Sequence, residues 1–376
     1  MYMPSGRKTH FSWTAVAVGF LVILSAITQA TAQTSYKRTN LVSDIPGVAN
    51  FADPNLVNPW GIVNAGSTGP IWIVDNGTGL SPVYTGEGVA FPTSSPLVVI
   101  IPTPPNSPAG AVAAPTGIVF NSTSSFVVSA NGSSGASRFI FATEDGTISG
   151  WNPAVDPTHA ILAVNNSGPG VSAGRTGLGA VYKGLANGNN GSGDFLYATN
   201  FRDGVVEMYD AHFQLVKSFT DSEIPSGFAP FGIRNIDGKL FVTYAKQDAK
   251  RHDDVKGTGN GFIDIFDLNG NLQSRFAANG TLNSPWGMAV APINFGAFSG
   301  LLLVGNFGDG RINAFSLSTG NLLGQLQDTF GSPMTIDGLW GLNFGNGAHQ
   351  APTTTLYFTA GLADESHGLF GAITTP

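Results

Sequence analysis

A glycine followed by an apolar, strand-forming run returns six times along the chain, and four of these glycines follow a tryptophan or phenylalanine. The six segments cover residues 59–63, 115–119, 177–181, 230–233, 285–289 and 338–342. Their glycines, Gly61, Gly117, Gly179, Gly232, Gly287 and Gly341, are 53 to 62 residues apart. A period of this size, sustained along the chain, predicts a repeat fold.

Each repeat continues as short β-rich runs separated by polar loops. In the third repeat these runs cover residues 195–199, 205–210 and 215–219, and the fifth repeat follows the same order. Four short strands per unit are typical of a propeller blade. We therefore predict an all-β fold, a six-bladed β-propeller with four-stranded blades.

The two ends of the chain are predicted to share one blade. The last repeat has only three strand-like runs, the third of them at residues 368–373, and residues 36–42 form an extra run before the first repeat. We expect this N-terminal strand to close the last blade, because closure of a propeller leaves only short sheet edges.

Residues 1–32 have the three-part composition of a secretory signal peptide. Arg7 and Lys8 precede an apolar stretch at 14–27, and Ala30 to Ala32 form a small-residue cleavage site. The apolar stretch is shorter than the roughly 20 residues that a membrane-spanning helix needs. The predicted organisation is a cleaved signal peptide, 1–32, and one propeller domain, 33–376, which is secreted to an extracellular or periplasmic location with no membrane span.

The charge balance and the absence of cysteine exclude several function classes. The chain has 17 Lys and Arg against 24 Asp and Glu, and without residues 1–32 the balance is 15 against 24, a net charge of −9. An acidic protein without basic runs is a poor partner for nucleic acid or an anionic membrane. Zero cysteines exclude disulfides, thiolate metal ligands and a cysteine nucleophile.

The propeller geometry predicts one face on which candidate binding residues meet. The loop between the second and third strands of each blade opens on the same face as the segment that leads into the innermost strand. We expect Trp60, Phe231, Trp286, Trp340 and Arg202 to line this mouth and to bind a small molecule, a glycan or a protein. The alternative is that the aromatic side chains only pack blade against blade and the polar loops are only turns.

A long charged loop at residues 244–257 interrupts the fourth repeat and contains His252-Asp253-Asp254. His367 lies in a second acidic loop on the same predicted face. Imidazole and carboxylate groups bind divalent metal ions, so we predict a metal site drawn from a set of seven residues: His252, Asp253, Asp254, Glu144, Asn200, Asn306 and His367. A solvated, salt-bridged loop is the alternative interpretation.

The chain resembles a family of secreted, mostly bacterial six-bladed propellers related to NHL-repeat proteins. The resemblance rests on residues 137–152, on 244–267 with the His252 segment, on Pro285-Trp286-Gly287, on 306–312 and on 338–341. It implies the fold and an exported location, and no established activity. By fold the family is also similar to calcium-dependent lactonases of the gluconolactonase type, whose carboxylate and amide groups hold a metal.

Two functions follow as hypotheses. The first is a ligand- or protein-binding scaffold that uses the loop-rich channel face. The second is a metal-dependent, lactonase-like hydrolase or another metalloenzyme at the channel mouth, with a divalent ion as cofactor and His252 or His367 as the proton carrier.

Overall fold

A computed structural model of the chain describes residues 1–6, 35–105, 107–168 and 178–376. The described residues from 35 onward belong to one compact unit. Most of the predicted signal peptide lies outside the described residues, so its cleavage stays a prediction. Within the described residues, no helix is long and apolar enough to cross a membrane.

The described residues form six blades, each built on four antiparallel strands, which confirms the predicted six-bladed propeller. A two-residue strand adds a fifth, parallel member to the sheet of blade six. The strands of blades one to three, from the channel outward, are β3 (Pro59–Asn64), β4 (Ile71–Asp75), β5 (Leu80–Tyr84) and β6 (Val98–Ile100); β7 (Pro115–Phe120), β10 (Phe139–Thr143), β11 (Thr147–Trp151) and β12 (Ile161–Asn165); and β13 (Tyr182–Asn189), β14 (Asp194–Asn200), β15 (Val205–Tyr209) and β16 (Leu215–Phe219). A small hairpin, β8 (Val127–Ala130) and β9 (Ser133–Ala136), is inserted in blade two.

The other three blades follow the same order from the channel outward. Their strands are β17 (Phe228–Ile236), β18 (Lys239–Lys246), β19 (Gly261–Asp267) and β20 (Leu272–Ala278); β21 (Pro285–Val290), β22 (Leu302–Asn306), β23 (Ile312–Phe315) and β24 (Leu322–Gln325); and β25 (Leu339–Phe344), β26 (Leu356–Gly361), β27 (His367–Thr374) and β1 (Lys37–Ser43). Strand β2 (Phe51–Ala52) pairs with the outer edge of β1, and the described helical segments are a 3₁₀ turn at Gly296–Phe298 and a turn at Leu362–Glu365.

The N-terminal strand closes blade six as predicted. Strand β1 pairs antiparallel with β27, with Arg38 opposite Ile373 and Asn40 opposite Gly371. Ahead of β1, the Tyr36 side chain is fully buried and donates a hydrogen bond to the backbone oxygen of Phe295 in blade five at 3.0 Å. The chain start is therefore anchored both to the last blade and to its neighbour.

The sequence pattern of the strands reflects their distance from the channel. Every residue of β4, β10 and β15 is buried, because the middle strands of a blade are covered on both faces by the adjacent blades. The outer strand β16 exposes four residues and the outer strand β20 exposes five. The apolar core is thus divided among the junctions between blades.

A glycine in each innermost strand allows the next blade to approach closely. A Cβ atom at Gly287 would lie 2.3 Å from the Trp340 carbonyl oxygen, and one at Gly341 would lie 2.5 Å from the Trp60 carbonyl oxygen. The Thr359 hydroxyl of blade six donates to the same Trp60 oxygen at 2.5 Å and accepts from the Gly341 amide at 2.8 Å. Only glycine leaves room for this contact between blades.

The assignment of Gly179 to the third repeat was wrong, because the equivalent glycine is Gly184. A Cβ atom at Gly184 would lie 2.9 Å from the Phe231 carbonyl oxygen of blade four, the same kind of contact as at Gly61, Gly232, Gly287 and Gly341. Gly179 instead lies in the connection before β13 with a φ of +87°, against the Ser167 carbonyl group. With Gly184 as the equivalent glycine, Lys183 occupies the position before it, where four other blades carry tryptophan or phenylalanine.

We expect Gly287→Ala to destabilise the propeller by about 1–3 kcal/mol, the usual cost of forcing an extra group into a packed site. Chemical denaturation measures this free energy of unfolding. Gly193→Ala is the matched control, since its nearest contact would be Phe195 at 3.7 Å, and its change should stay within about 0.5 kcal/mol. Equal losses in both variants would contradict the close-approach argument.

Candidate functional site

The channel is filled near its mouth by stacked aromatic side chains. The Trp60 and Trp340 rings stack with centroids 3.4 Å apart, and Phe307 stacks on Trp340 at 3.9 Å. Trp60, Phe231 and Trp340 are 2%, 0% and 1% exposed, whereas Trp286 is only partly buried. The burial of these three side chains favours the packing interpretation for them and leaves Trp286 as the aromatic residue with an open face.

Lys183 is the charged residue among these aromatics, and its side chain is 2% exposed. Its Nζ donates to Glu144 Oε1 and lies 3.4 Å from Asp253 Oδ1. It also lies 5.1 Å from the centre of the Trp60 ring, within cation–π range. Burial acts to lower the pKa of Lys183, but the two carboxylates outweigh it and raise the pKa above its ordinary value.

Glu144 connects three blades at the mouth. It follows β10 of blade two, in the turn that leads to β11. Its Oε1 accepts from Lys183 of blade three, and its Oε2 accepts from Asn76 Nδ2 of blade one at 2.8 Å. Both carboxylate oxygens therefore have defined directions before any ligand binds.

The charged loop of blade four brings His252 and Asp253 to the same place. His252 Nδ1 lies 2.8 Å from Asp253 Oδ1, and the loop is held down by Gln247, whose amide donates to the Phe201 carbonyl oxygen at 2.5 Å. The hydrogen bond from His252, together with the Lys183 charge, lowers the pKa of Asp253 despite partial burial. Glu144, His252 and Asp253 each offer a ligand atom, and these atoms lie within 4.8 Å of one another.

Two further carboxyl groups face this cluster. Burial raises the pKa of Glu365 to about 7, with the Glu144 charge acting in the same direction and Lys183 against it. Burial likewise raises the pKa of Asp254. Glu365 Oε1 and Asp254 Oδ2 are buried without a hydrogen-bond partner. We call the set of Glu144, Lys183, His252, Asp253, Asp254 and Glu365 the acidic mouth.

Asn200 and Asn306, which were predicted as metal ligands, are engaged in their own turns. Asn200 Nδ2 donates to Asp203 and Glu207 at 2.8 Å each, and the Asn200 side chain is fully buried. Asn306 Nδ2 donates to the Thr281 carbonyl oxygen at 2.7 Å. Both amide nitrogens therefore already donate to groups other than Glu144, His252 and Asp253.

His367 and Arg202 also lie outside that group. His367 Nδ1 is 2.7 Å from Asp44 Oδ2 at the start of β27, in blade six. Arg202 donates to the carbonyl oxygen of Gly179 at 3.1 Å and lines a surface cavity beside Glu144 and Asp145. Within the described residues, His367 is therefore not part of the group of ligand atoms that includes His252.

Lys183 was missed by the sequence reasoning because the third repeat was aligned on Gly179. The signal was present in Tyr182-Lys183-Gly184-Leu185, which matches Pro230-Phe231-Gly232-Ile233 and lies ten residues before the next strand-like run. A lysine at a position that elsewhere carries aromatic residues marks a charged centre in the channel.

The chain has sequence relatives in a giant virus. It is 32% identical to Uncharacterized protein R648 of Acanthamoeba polyphaga mimivirus over 364 residues, which cover 95% of this chain and 84% of that protein. It is 32% identical to Uncharacterized protein L690 of the same virus, over 90% of this chain and 86% of that protein. No model of a known protein family matches the chain. These relatives are viral, so the bacterial source implied by the resemblance is not supported.

Solved structures share the propeller fold at low identity. Virginiamycin B lyase from Staphylococcus aureus has a TM-score of 0.50 and 12% identity, covering 91% of this chain and 99% of that one. A gluconolactonase from Xanthomonas campestris has a TM-score of 0.51 and 13% identity, covering 86% and 87%. A glucose dehydrogenase has a TM-score of 0.51 and 12% identity, covering 90% and 100%. These likenesses show the fold alone.

We expect Glu365→Gln to stabilise the protein more at about pH 8 than at about pH 5. Because the folded-state pKa of Glu365 is raised to about 7, the wild type loses stability as the pH rises from the unfolded-state pKa through that value. The neutral amide of the variant carries no charge at either pH, so its interaction with Glu144, Lys183 and Asp254 does not change as the pH rises. Chemical denaturation at the two pH values measures the difference between variant and wild type.

The control for this pH dependence is Glu87→Gln, which removes the same charge from an exposed turn. Its stability difference from the wild type should not change between the two pH values. A pH-independent difference for Glu365→Gln would contradict the role of burial at this site.

Proposed function

The chain belongs to the family of proteins that includes mimivirus R648 and L690, and we propose that it is a ligand-binding propeller that takes a divalent cation at its acidic mouth. The observation that carries the proposal is the convergence of Glu144, His252 and Asp253, whose ligand atoms lie within 4.8 Å of one another. They come from blades two and four, so only the folded propeller presents them together.

The donor set fits a divalent cation. One imidazole and two carboxylates suit zinc or manganese, and additional oxygen ligands suit calcium. Three protein ligands leave coordination positions open, which is typical of sites where a metal also holds a second ligand. Glu365 Oε1 and Asp254 Oδ2, which are buried without a hydrogen-bond partner, offer further oxygen ligands and add negative charge when they are ionised.

Titration of the purified protein with Zn²⁺, Mn²⁺ and Ca²⁺ by calorimetry tests this proposal. We expect one saturable site for at least one of these ions, and an affinity loss of roughly tenfold or more in Glu144→Gln and in His252→Ala. His212→Ala is the matched control, since that side chain is 85% exposed on blade three. Failure of all three ions to bind, or equal binding by the variants and wild type, would refute the proposal.

Lys183→Met provides a second test with an outcome in the opposite direction. The Lys183 ammonium group occupies the side of Glu144 and Asp253 that a bound cation would share, so it competes with the cation by charge repulsion. We expect the variant to bind the ion several-fold more tightly, as measured in the same titration. Weaker binding would show that Lys183 supports the site rather than competes with it. Thermal unfolding confirms that the variant is folded.

A second candidate function, a metal-dependent hydrolase, is supported by Glu365. When bound, a divalent ion supplies Lewis-acid chemistry that polarises a carbonyl oxygen. A carboxyl group with a pKa of about 7 holds or releases a proton at neutral pH, as a general acid or base does. Similarity to a gluconolactonase extends only to the fold.

Hydrolysis of gluconolactone tests the hydrolase function. We expect turnover that a chelator abolishes and that Glu365→Gln lowers roughly 100-fold or more at neutral pH, with cation binding in the variant retained. Cation binding without turnover would refute the hydrolase function and would leave cation binding as the function of the acidic mouth.

A further inference from the structure

A second cavity lies towards the other end of the inner strands, beyond the aromatic side chains that fill the channel. Its volume is about 330 Å³, and its walls are formed by the segments that follow the inner-strand glycines. Apolar side chains dominate these walls, among them Ile62, Ile118, Leu185 and Met288. Trp286 also lines it, and its indole nitrogen donates to the Lys183 carbonyl oxygen at 2.8 Å. Volume and composition fit a pocket for one small ligand.

Arg234 places a positive charge in this cavity. It extends from β17 of blade four and donates from Nη1 to the Leu342 carbonyl oxygen at 3.1 Å and from Nη2 to Asn343 Oδ1 at 2.9 Å, both in blade six. These acceptors are neutral, and no carboxylate in the described part of the chain forms an ion pair with Arg234. Burial lowers the pKa of Arg234, yet a guanidinium group stays charged at neutral pH.

The guanidinium group keeps hydrogen-bonding capacity for a ligand. It has five N–H donors, and the two hydrogen bonds to blade six use only part of them. Asn64 lines the same cavity, and its Nδ2 donates to the Phe344 carbonyl oxygen at 2.8 Å. Asp237 lines an adjoining cavity that Arg234 and Asn64 also line, and its side chain is exposed to solvent.

We propose that this cavity binds a small organic carboxylate, with the carboxylate group on Arg234 and the apolar part of the ligand against Leu185, Met288 and the Trp286 ring. The planar guanidinium matches a carboxylate with paired hydrogen bonds. A phosphate group would require more cationic donors than this pocket offers. The apolar walls of the pocket favour a ligand whose remaining part is apolar. None of the six residues of the acidic mouth lines this cavity, so the proposed carboxylate site shares no side chain with the cation site.

Titration with benzoate and hexanoate, followed by calorimetry and by tryptophan fluorescence, tests the proposal. Benzamide and hexanamide are the neutral isosteres. We expect saturable binding of at least one carboxylate, with at least about tenfold weaker binding of its amide, because charge-assisted hydrogen bonds are the stronger ones. A chelator should leave this binding unchanged, which separates it from the cation site.

Two variants test the role of Arg234. Arg234→Met removes the charge, and Asn343→Asp keeps the guanidinium but places a carboxylate at the atom that accepts its hydrogen bond. Each should weaken carboxylate binding about tenfold or more. Arg311→Met, at an exposed position in blade five, is the matched control and should bind as the wild type does.

Three results would overturn the proposal. The first is the absence of saturable binding of either carboxylate up to about 10 mM, a range that would still reveal weak ligands. The second is equal binding of the carboxylates and their amides. The third is unchanged binding in a folded Arg234→Met or in Asn343→Asp. Thermal unfolding shows whether each variant is folded. If Arg234→Met does not fold, Asn343→Asp decides the outcome alone.

Discussion

The close contact between each inner-strand glycine and a backbone carbonyl group of the next blade is the constraint on which the rest of the molecule depends. Gly232, Gly287 and Gly341 each face the carbonyl oxygen of the residue before the next blade's glycine. This contact fixes how far each blade lies from its neighbour. It therefore also directs the side chain of the residue before each glycine into the channel. The same contact determines where the loops of adjacent blades meet.

Lys183 uses this geometry for a different purpose from its aromatic counterparts. Trp60, Phe231 and Trp340 fill the channel with apolar rings, whereas Lys183 brings a charge into the same layer. A buried charge requires partners, and Glu144 and Asp253 supply them from the neighbouring blades. The acidic mouth is thus organised around one residue whose position is set by the backbone repeat.

The period of the glycines predicted the number of blades, and the count of strand-like runs predicted the four-stranded blades and the closing strand, because all of these depend on local patterns. The third repeat was misaligned because residues 177–181 have the same glycine-plus-apolar pattern as the true segment around Gly184. The sequence predicted that Glu144 and His252 lie on the same face of the propeller, but it did not predict that their side chains lie close together. Spacing along the chain carries no information on distances between loops from different blades.

Asn200 shows what residue type alone does not reveal about a predicted ligand. Its amide and the Glu207 carboxylate satisfy each other inside blade three, and a buried polar side chain that is already paired has little to offer a metal. The pairing of Asn200 with Glu207 follows from the register of β14 and β15, which the sequence alone does not give.

The pairing of β1 with β27 has a consequence for the order of assembly during synthesis. The outer strand of blade six leaves the ribosome long before its partner, with 325 residues separating Ser43 from Gly368, whose carbonyl oxygen accepts its hydroxyl hydrogen bond. Until β27 emerges, β1 has an unpaired edge, and blades one to five can form only an open arc. Ring closure therefore has to wait until β27 has been synthesised, and a nascent chain that pauses before residue 367 exposes the strand edges that promote association between chains.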